Sequence, residues 1–207
     1  MFVDWHGVLS PDPFWFSILE NERHPYRSAV LSIRSRIFAD HRLLESWMRG
    51  DISSAEVVRP ERLEEFLDRR AKSDYLVRRL AEDCRKFRLD GGLMSYLSSV
   101  RNSAELVIAT DNMDVAATSI WFRKDISEMF SDLISSSDVG VLKGESPTEF
   151  FGPWLYAHGL DFTSAALIDD NAANCAAFES AGGVSIHWTG GVSQLETLQR
   201  WFGGDDR

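Results

Sequence analysis

Three short apolar runs in this chain each stop at a polar tip, and that repetition limits the folds open to it. Phe2-Val3 ends in Asp4, Leu106-Val107-Ile108-Ala109 in Thr110-Asp111-Asn112, and Ala165-Ala166-Leu167-Ile168 in Asp169-Asp170-Asn171. Runs of this length, bounded by turn residues, read as buried strands. Gly7 turns the chain away from the first tip. Helical patterns lie between and after the runs, over 115–122, 148–158 and 172–180, and Gly182-Gly183 caps the last of these. A further strand is expected over 184–188 and a final helix over 195–202. The stretch 134–140 reads as a short strand and polar loop. Strands alternating with helices imply a parallel sheet with right-handed crossovers. The fold class is therefore α/β, a Rossmann-like parallel sheet core with helices on both faces.

The pattern changes near residue 12. Pro11-Asp12-Pro13 breaks the chain, Phe14-Trp15-Phe16-Ser17-Ile18-Leu19 packs aromatics densely, and 26–89 is helical in pattern throughout. Gly50 stops one helix, and Ser53-Ser54-Ala55-Glu56 is a capping box that starts the next. Pro60 opens another, carrying Leu63, Phe66 and Leu67. The aromatics after Pro13 have two readings, a helix face in the core or a lid wall close to Asp4. The chain thus divides into an α/β core over 1–11 and 90–207 and a small all-helical insert over 12–89.

The formal net charge is -10, from 32 acidic and 22 basic residues. Such a surface repels phosphate backbones and anionic headgroups, so neither nucleic acid nor a membrane is expected as a partner. A small phosphate held by a metal and a few local donors is not excluded. Two cysteines, Cys84 and Cys175, are too few for a disulfide framework and are expected to be reduced. No apolar run approaches membrane-spanning length, and the first residues lack a basic leader, so a cytoplasmic protein is expected. Oligomeric state is left open.

In open parallel sheets, ligands bind beyond the carboxyl ends of the strands. Asp4, Thr110 and Asp169-Asp170 stand at such ends, and Lys143 follows in a polar stretch. Two carboxylates about 4 Å apart repel by on the order of 4 kcal/mol at an effective dielectric near 20, a cost that a divalent cation removes. Oxygen-only ligands, without a His or Cys side chain, favour magnesium over zinc. A magnesium ion, a lysine and a hydroxyl together describe a site for a phosphoryl group, with Asp4 placed to attack phosphorus.

These residues resemble the motifs of the haloacid dehalogenase (HAD) superfamily, in its phosphatase-like branch with a helical cap after the first motif. Phe2-Val3-Asp4-Trp5-His6-Gly7-Val8-Leu9 corresponds to the first motif and Leu106-Val107-Ile108-Ala109-Thr110 to the second. Lys143 within Gly140-Val141-Leu142-Lys143-Gly144-Glu145-Ser146-Pro147 corresponds to the third, and Leu167-Ile168-Asp169-Asp170-Asn171-Ala172-Ala173-Asn174 to the fourth. The resemblance implies that 12–89 is the cap and that Asp4 is the nucleophile. It implies Asp169 as the acidic metal ligand supported by Asp170, the carbonyl at His6 as a further ligand, and Thr110 and Lys143 on the phosphate. The expected substrate is a small phosphorylated metabolite, met also by Asp111 and, as aromatic walls, by Trp5 and Trp15.

His6 departs from the phosphatase pattern, which places an acid–base aspartate there. Three readings follow: His6 as substitute acid and base, a catalytically weak or inactive protein that binds a phosphorylated ligand, or a different reaction of the same scaffold. Asp111 is a smaller departure, because a carboxylate beside a phosphate is unhelpful unless it faces away.

Overall fold

The computed structural model describes residues 1–59, 69–191, 194–196 and 198–199. The helix expected at Pro60, and half of that expected over 195–202, lie outside the described residues.

Five parallel strands form the centre: β1 (Phe2–Val3), β2 (Val107–Thr110), β3 (Asp132–Ser135), β4 (Ala166–Asp169) and β5 (Val184–His187), in the order β3-β2-β1-β4-β5. The shortest strand is the central one. Phe2 pairs with Val107 on one side and Leu167 on the other, and Val3 with Ile108 and Ile168. Alternate residues of each strand supply two cores, as the period of two requires. Phe2, Val107 and Leu167 pack on one face with Phe150, Phe151 and Phe178, while Val3, Ile108 and Ile168 pack on the other with Leu93 and Ile120. Continuous apolar runs on the strands are the consequence of both faces being covered.

Helices α1 (Phe16–Leu19), α2 (Arg27–Ala39), α3 (His41–Met48), α4 (Ser54–Val57) and α5 (Arg69–Cys84) occupy the segment between β1 and β2, before α6 (Gly91–Val100). Their starts follow local chemistry. Asp40 caps α3 by accepting from Arg42 N and Leu43 N, and Ser53 and Glu56 complete the capping box of α4. Gly50, at φ 78°, takes the left-handed conformation just past α3.

The chain leaves and re-enters the sheet layer at one neck. Asp90 N donates to Leu9 O at 2.9 Å, and Arg88 N donates to the buried Asp12 carboxylate at 2.6 Å. The insert also touches the core elsewhere: Ser54 N donates to Asp114 at the start of α7 (Asp114–Trp121), and Ser136 Oγ to Met48 O at 2.6 Å.

The stretch after Ile134 departs from expectation. Instead of a loop it makes a helical turn, α9 (Ser136–Val139), which Gly140 ends at φ 79°. The remaining core helices are α8 (Lys124–Ser127), α10 (Pro147–Ala157) and α11 (Ala172–Ser180).

Candidate active site

The parallel register brings the tips of β1, β2 and β4 side by side. Asp4 N donates to Ile168 O at 2.9 Å, which fixes the first carboxylate beside the last residue of β4. Asp4, Thr110, Lys143 and Asp169 are all buried.

Lys143 is the hub. Its Nζ donates to Asp4 Oδ1 at 2.8 Å, to Asp169 Oδ2 at 2.6 Å and to Ala109 O at 3.1 Å. All three ammonium protons therefore have a partner. Burial pushes the Asp4 carboxyl above its ordinary range, Lys143 pulls it back, and Asp169 adds to the rise. Burial acts to lower the Lys143 ammonium, but Asp4, Asp169 and Asp111 together reverse that and raise it. With two carboxylate oxygens at hydrogen-bond distance, the contact itself favours the charged lysine.

Asp169 is held from several sides. Asn171 N donates to its Oδ1 at 2.8 Å, and Asn174 Nδ2 lies 3.2 Å from each carboxylate oxygen. Sequence reasoning gave Asn174 no role. Asn171 caps α11 with its side chain and meets Asp169 with its main-chain N–H, and Asn174, in the first turn of that helix, reaches Asp169 with its side chain.

Among the described residues, Asp4, Asp169 and Asp170 form a group whose carboxylate oxygens lie within 4.8 Å of one another. Asp170 is the exposed member; burial and Asp169 raise its carboxyl. The His6 imidazole is not part of this trio. Three oxygens and a left-handed glycine in front of them make a donor set that suits a hard cation. Lys143 supplies part of the neutralising charge, and Asp170 has no ion-pair partner among the described residues.

Thr110 lies behind the tip and its Oγ1 accepts from Asn112 Nδ2 at 2.8 Å. Asp111 does not face a phosphate freely: its Oδ1 accepts from Lys143 N at 3.0 Å, so it fastens the lysine-bearing loop to β2. This gives the extra carboxylate a structural use.

His6 lies two residues after Asp4 and is half-buried. Its ring stacks on Phe14 at 5.1 Å, and its Nδ1 is buried without a hydrogen-bond partner. Burial lowers the imidazole below its ordinary value, and Asp170 opposes this.

The two tryptophans are a correction. Trp5 and Trp15 are fully buried, so neither forms a substrate wall. Trp5 packs on Phe87 at 6.4 Å. Trp15 stacks on Trp47, and its Nε1 donates to Leu76 O at 2.8 Å. Of the neighbouring aromatics, Phe14 alone lines the cleft.

That cleft has a volume of about 560 Å³ and runs from His6, Asp111 and Asn174 at the strand tips to Phe38, Leu44 and Met48 on α2 and α3. No described helix is long and apolar enough to cross a membrane.

No family model and no curated protein matches the sequence. Solved structures do. A structure from Porphyromonas gingivalis, described as a predicted HAD-like family hydrolase, superposes at a TM-score of 0.69 over 99% of this chain and 97% of its own, at 14% identity. A 2-haloacid dehalogenase from Pseudomonas syringae pv. Tomato gives 0.66 over 97% of each chain, at 17% identity. An HAD family enzyme from Bacteroides thetaiotaomicron, solved in complex with magnesium and inorganic phosphate, gives 0.62 over 92% of this chain and 94% of its own, at 16% identity. The chain has the fold of the HAD-like hydrolases.

Proposed function

We propose that this protein is a magnesium-dependent phosphatase that hydrolyses a small phosphorylated metabolite through an aspartyl-phosphate at Asp4, with residues 12–89 as its cap. The observation that carries the proposal is the contact of Lys143 with Asp4 and Asp169, beside the exposed carboxylate of Asp170. The similar enzyme from Bacteroides thetaiotaomicron, which holds magnesium and inorganic phosphate, supports the ligand chemistry.

Asp4, Asp169, Asp170 and the main-chain carbonyl of His6 are the groups that would hold magnesium. The ion supplies positive charge against the phosphoryl oxygens. Lys143 and Thr110 orient the phosphate. An Asp4 carboxylate oxygen attacks phosphorus, and the bond to the leaving oxygen breaks as that oxygen takes a proton from His6. Water then attacks the aspartyl-phosphate, gives its proton to His6 and releases Asp4. His6 must start protonated, and the negative charge of a bound phosphate together with Asp170 favours that form.

The test is a panel of phosphomonoesters with magnesium, comparing the wild type with Asp4→Asn. Turnover in the wild type and background in the variant is the expected result. Equal rates in both overturn the assignment of Asp4.

A second reading is a protein that binds a phosphorylated ligand with little or no turnover. It is favoured by the burial of His6, which disfavours the proton-donating form. It requires that His6→Asp create hydrolysis where the wild type only binds.

A further inference from the structure

The cleft above the strand tips has two ends of different chemistry. The inner end is polar, where His6 and Asn174 adjoin the Asp4 site. The outer end is built from Phe38, Leu44 and Met48 of the insert and from Leu142 of the core loop, with Phe14, stacked on His6, between the two ends. Phe38 is 53% exposed and faces this space. The volume of about 560 Å³ lies within the roughly 300–1,000 Å³ of small-molecule sites.

Charge at the rim decides what else such a ligand can carry. Among the described residues, Arg49 is the one arginine or lysine lining the cleft, and it is already matched by Glu145 at 2.7 Å, Glu45 at 3.4 Å and Asp51 at 3.5 Å, while His41, also on the lining, lies 3.6 Å from Glu45. Glu45 and Glu145 also line the cleft, so a second anionic group would meet carboxylates there. Arg34 donates to Phe14 O at 3.2 Å with its guanidinium 5.2 Å from the centre of the Phe38 ring, and it is not among the residues lining the cleft.

We infer that the substrate is a monophosphate ester with one neutral, apolar body, which lies against Phe14, Phe38, Leu44 and Met48 while its phosphate sits at Asp4. Bisphosphates, nucleoside polyphosphates and phosphorylated carboxylic acids are disfavoured. The inference rests on the phosphatase reading for the position of the phosphate, and the walls of the cleft supply the rest.

Alkylphosphonates test this on the wild-type protein, because their carbon–phosphorus bond survives the site. Calorimetry with magnesium present would follow methyl-, butyl-, hexyl- and octylphosphonate. Each methylene moved from water into an apolar cleft is expected to tighten binding by about fourfold until the cleft is filled. Methylenediphosphonate and phosphonoacetate are expected to bind no more tightly than methylphosphonate. Phe38→Ser with Leu44→Ser is expected to flatten the series; Phe38 is exposed and Leu44 half-buried, so the fold tolerates both. Affinity independent of chain length, or tighter binding of methylenediphosphonate than of butylphosphonate, overturns the inference. Failure of methylphosphonate and inorganic phosphate to bind at all counts against the phosphatase reading, so the two failures are distinguishable.

Discussion

The Asp170 carboxylate fills the space in front of Gly7: a Cβ placed on Gly7 would meet Asp170 Oδ2, and the backbone there has φ 85°. Gly7 is thus required twice, for a left-handed turn and for the room it leaves a candidate metal ligand. Gly7→Ala is expected to cost about 1–2 kcal/mol for the backbone alone, and to displace Asp170 as well. Thermal unfolding with and without magnesium checks both. Saturation at about a hundredfold excess over Kd is worth roughly 2.7 kcal/mol to the wild type, which the variant is expected to lose. An unchanged magnesium-dependent shift in melting temperature would contradict this.

Lys143 joins two buried carboxylates, so removing its charge leaves them facing one another. Lys143→Met is expected to destabilise the protein by about 3–5 kcal/mol at alkaline pH, where the carboxylates face one another ionised. The loss should shrink as pH falls through the raised Asp4 value, because protonating Asp4 relieves the repulsion. Urea unfolding of variant and wild type at two pH values measures it. A loss that is equal at both would show that the lysine acts by packing and not by charge.

His6 stacks on Phe14, so its replacement can be separated from a change of shape. His6→Asn keeps a polar side chain but removes the proton relay, and kcat is expected to fall roughly 10²–10⁴-fold. His6→Asp restores a group able to carry protons, with a rate limb set by a carboxyl in place of an imidazole. The pH–rate profiles of the three proteins report this directly. Wild-type turnover that survives in His6→Asn with an unchanged profile would remove His6 from the chemistry.

How much of this could be read in advance depends on the range of each interaction. The strand tips were legible because burial on both faces leaves a local trace, a continuous apolar run that ends in Asp4, Thr110 or Asp169. The gathering of Lys143 at those tips followed from motif order, whereas the order of the strands in the sheet left no trace in the sequence. Trp15 was misplaced because closeness to Asp4 in sequence says nothing about direction. It takes φ 60°, the one left-handed non-glycine among the described residues, and the turn sends its indole inward to Leu76. The pairing of Asp12 with Arg88 spans 76 positions and leaves no local pattern at all. The fold of the core was therefore open to sequence reasoning, and the clasp between core and insert was not.

That clasp has unequal partners. Asp12 is 1% exposed and accepts from Arg88 N at 2.6 Å and Arg88 Nε at 2.7 Å, whereas the Arg88 side chain is 63% exposed. Asp12→Ala leaves a backbone N–H unpaired at the neck and is expected to cost about 1–3 kcal/mol. Arg88→Met keeps the N–H bond to Asp12 and loses only the guanidinium contacts with Asp12 and Glu20, so a smaller loss than that of Asp12→Ala is expected. Equilibrium unfolding of the two variants decides the order. A larger loss from Arg88→Met would mean that the guanidinium, and not the main chain, holds the neck.

Asp83 gives the pH dependence a test away from the candidate site. Its carboxylate is fully buried between α5 and α1, where Oδ2 accepts from Ser17 N at 3.1 Å and Ser17 Oγ at 2.9 Å, while Oδ1 has no hydrogen-bond partner among the described residues. Burial raises its carboxyl above the ordinary value, and the two bonds from Ser17 only partly oppose this. A carboxyl that holds its proton more firmly folded than unfolded makes the folded state lose stability as pH rises from the unfolded value through the folded one. Above that window the ionised form is buried with half its acceptors idle. Asp83→Asn keeps an oxygen for Ser17 and removes the charge. The variant is expected to match or exceed wild-type stability at neutral pH, and the difference should vanish as the pH is lowered through the carboxylate range. Thermal unfolding of both proteins across that range is the measurement, and a variant that is less stable than wild type at neutral pH would show that Asp83 is held as a favourable carboxylate.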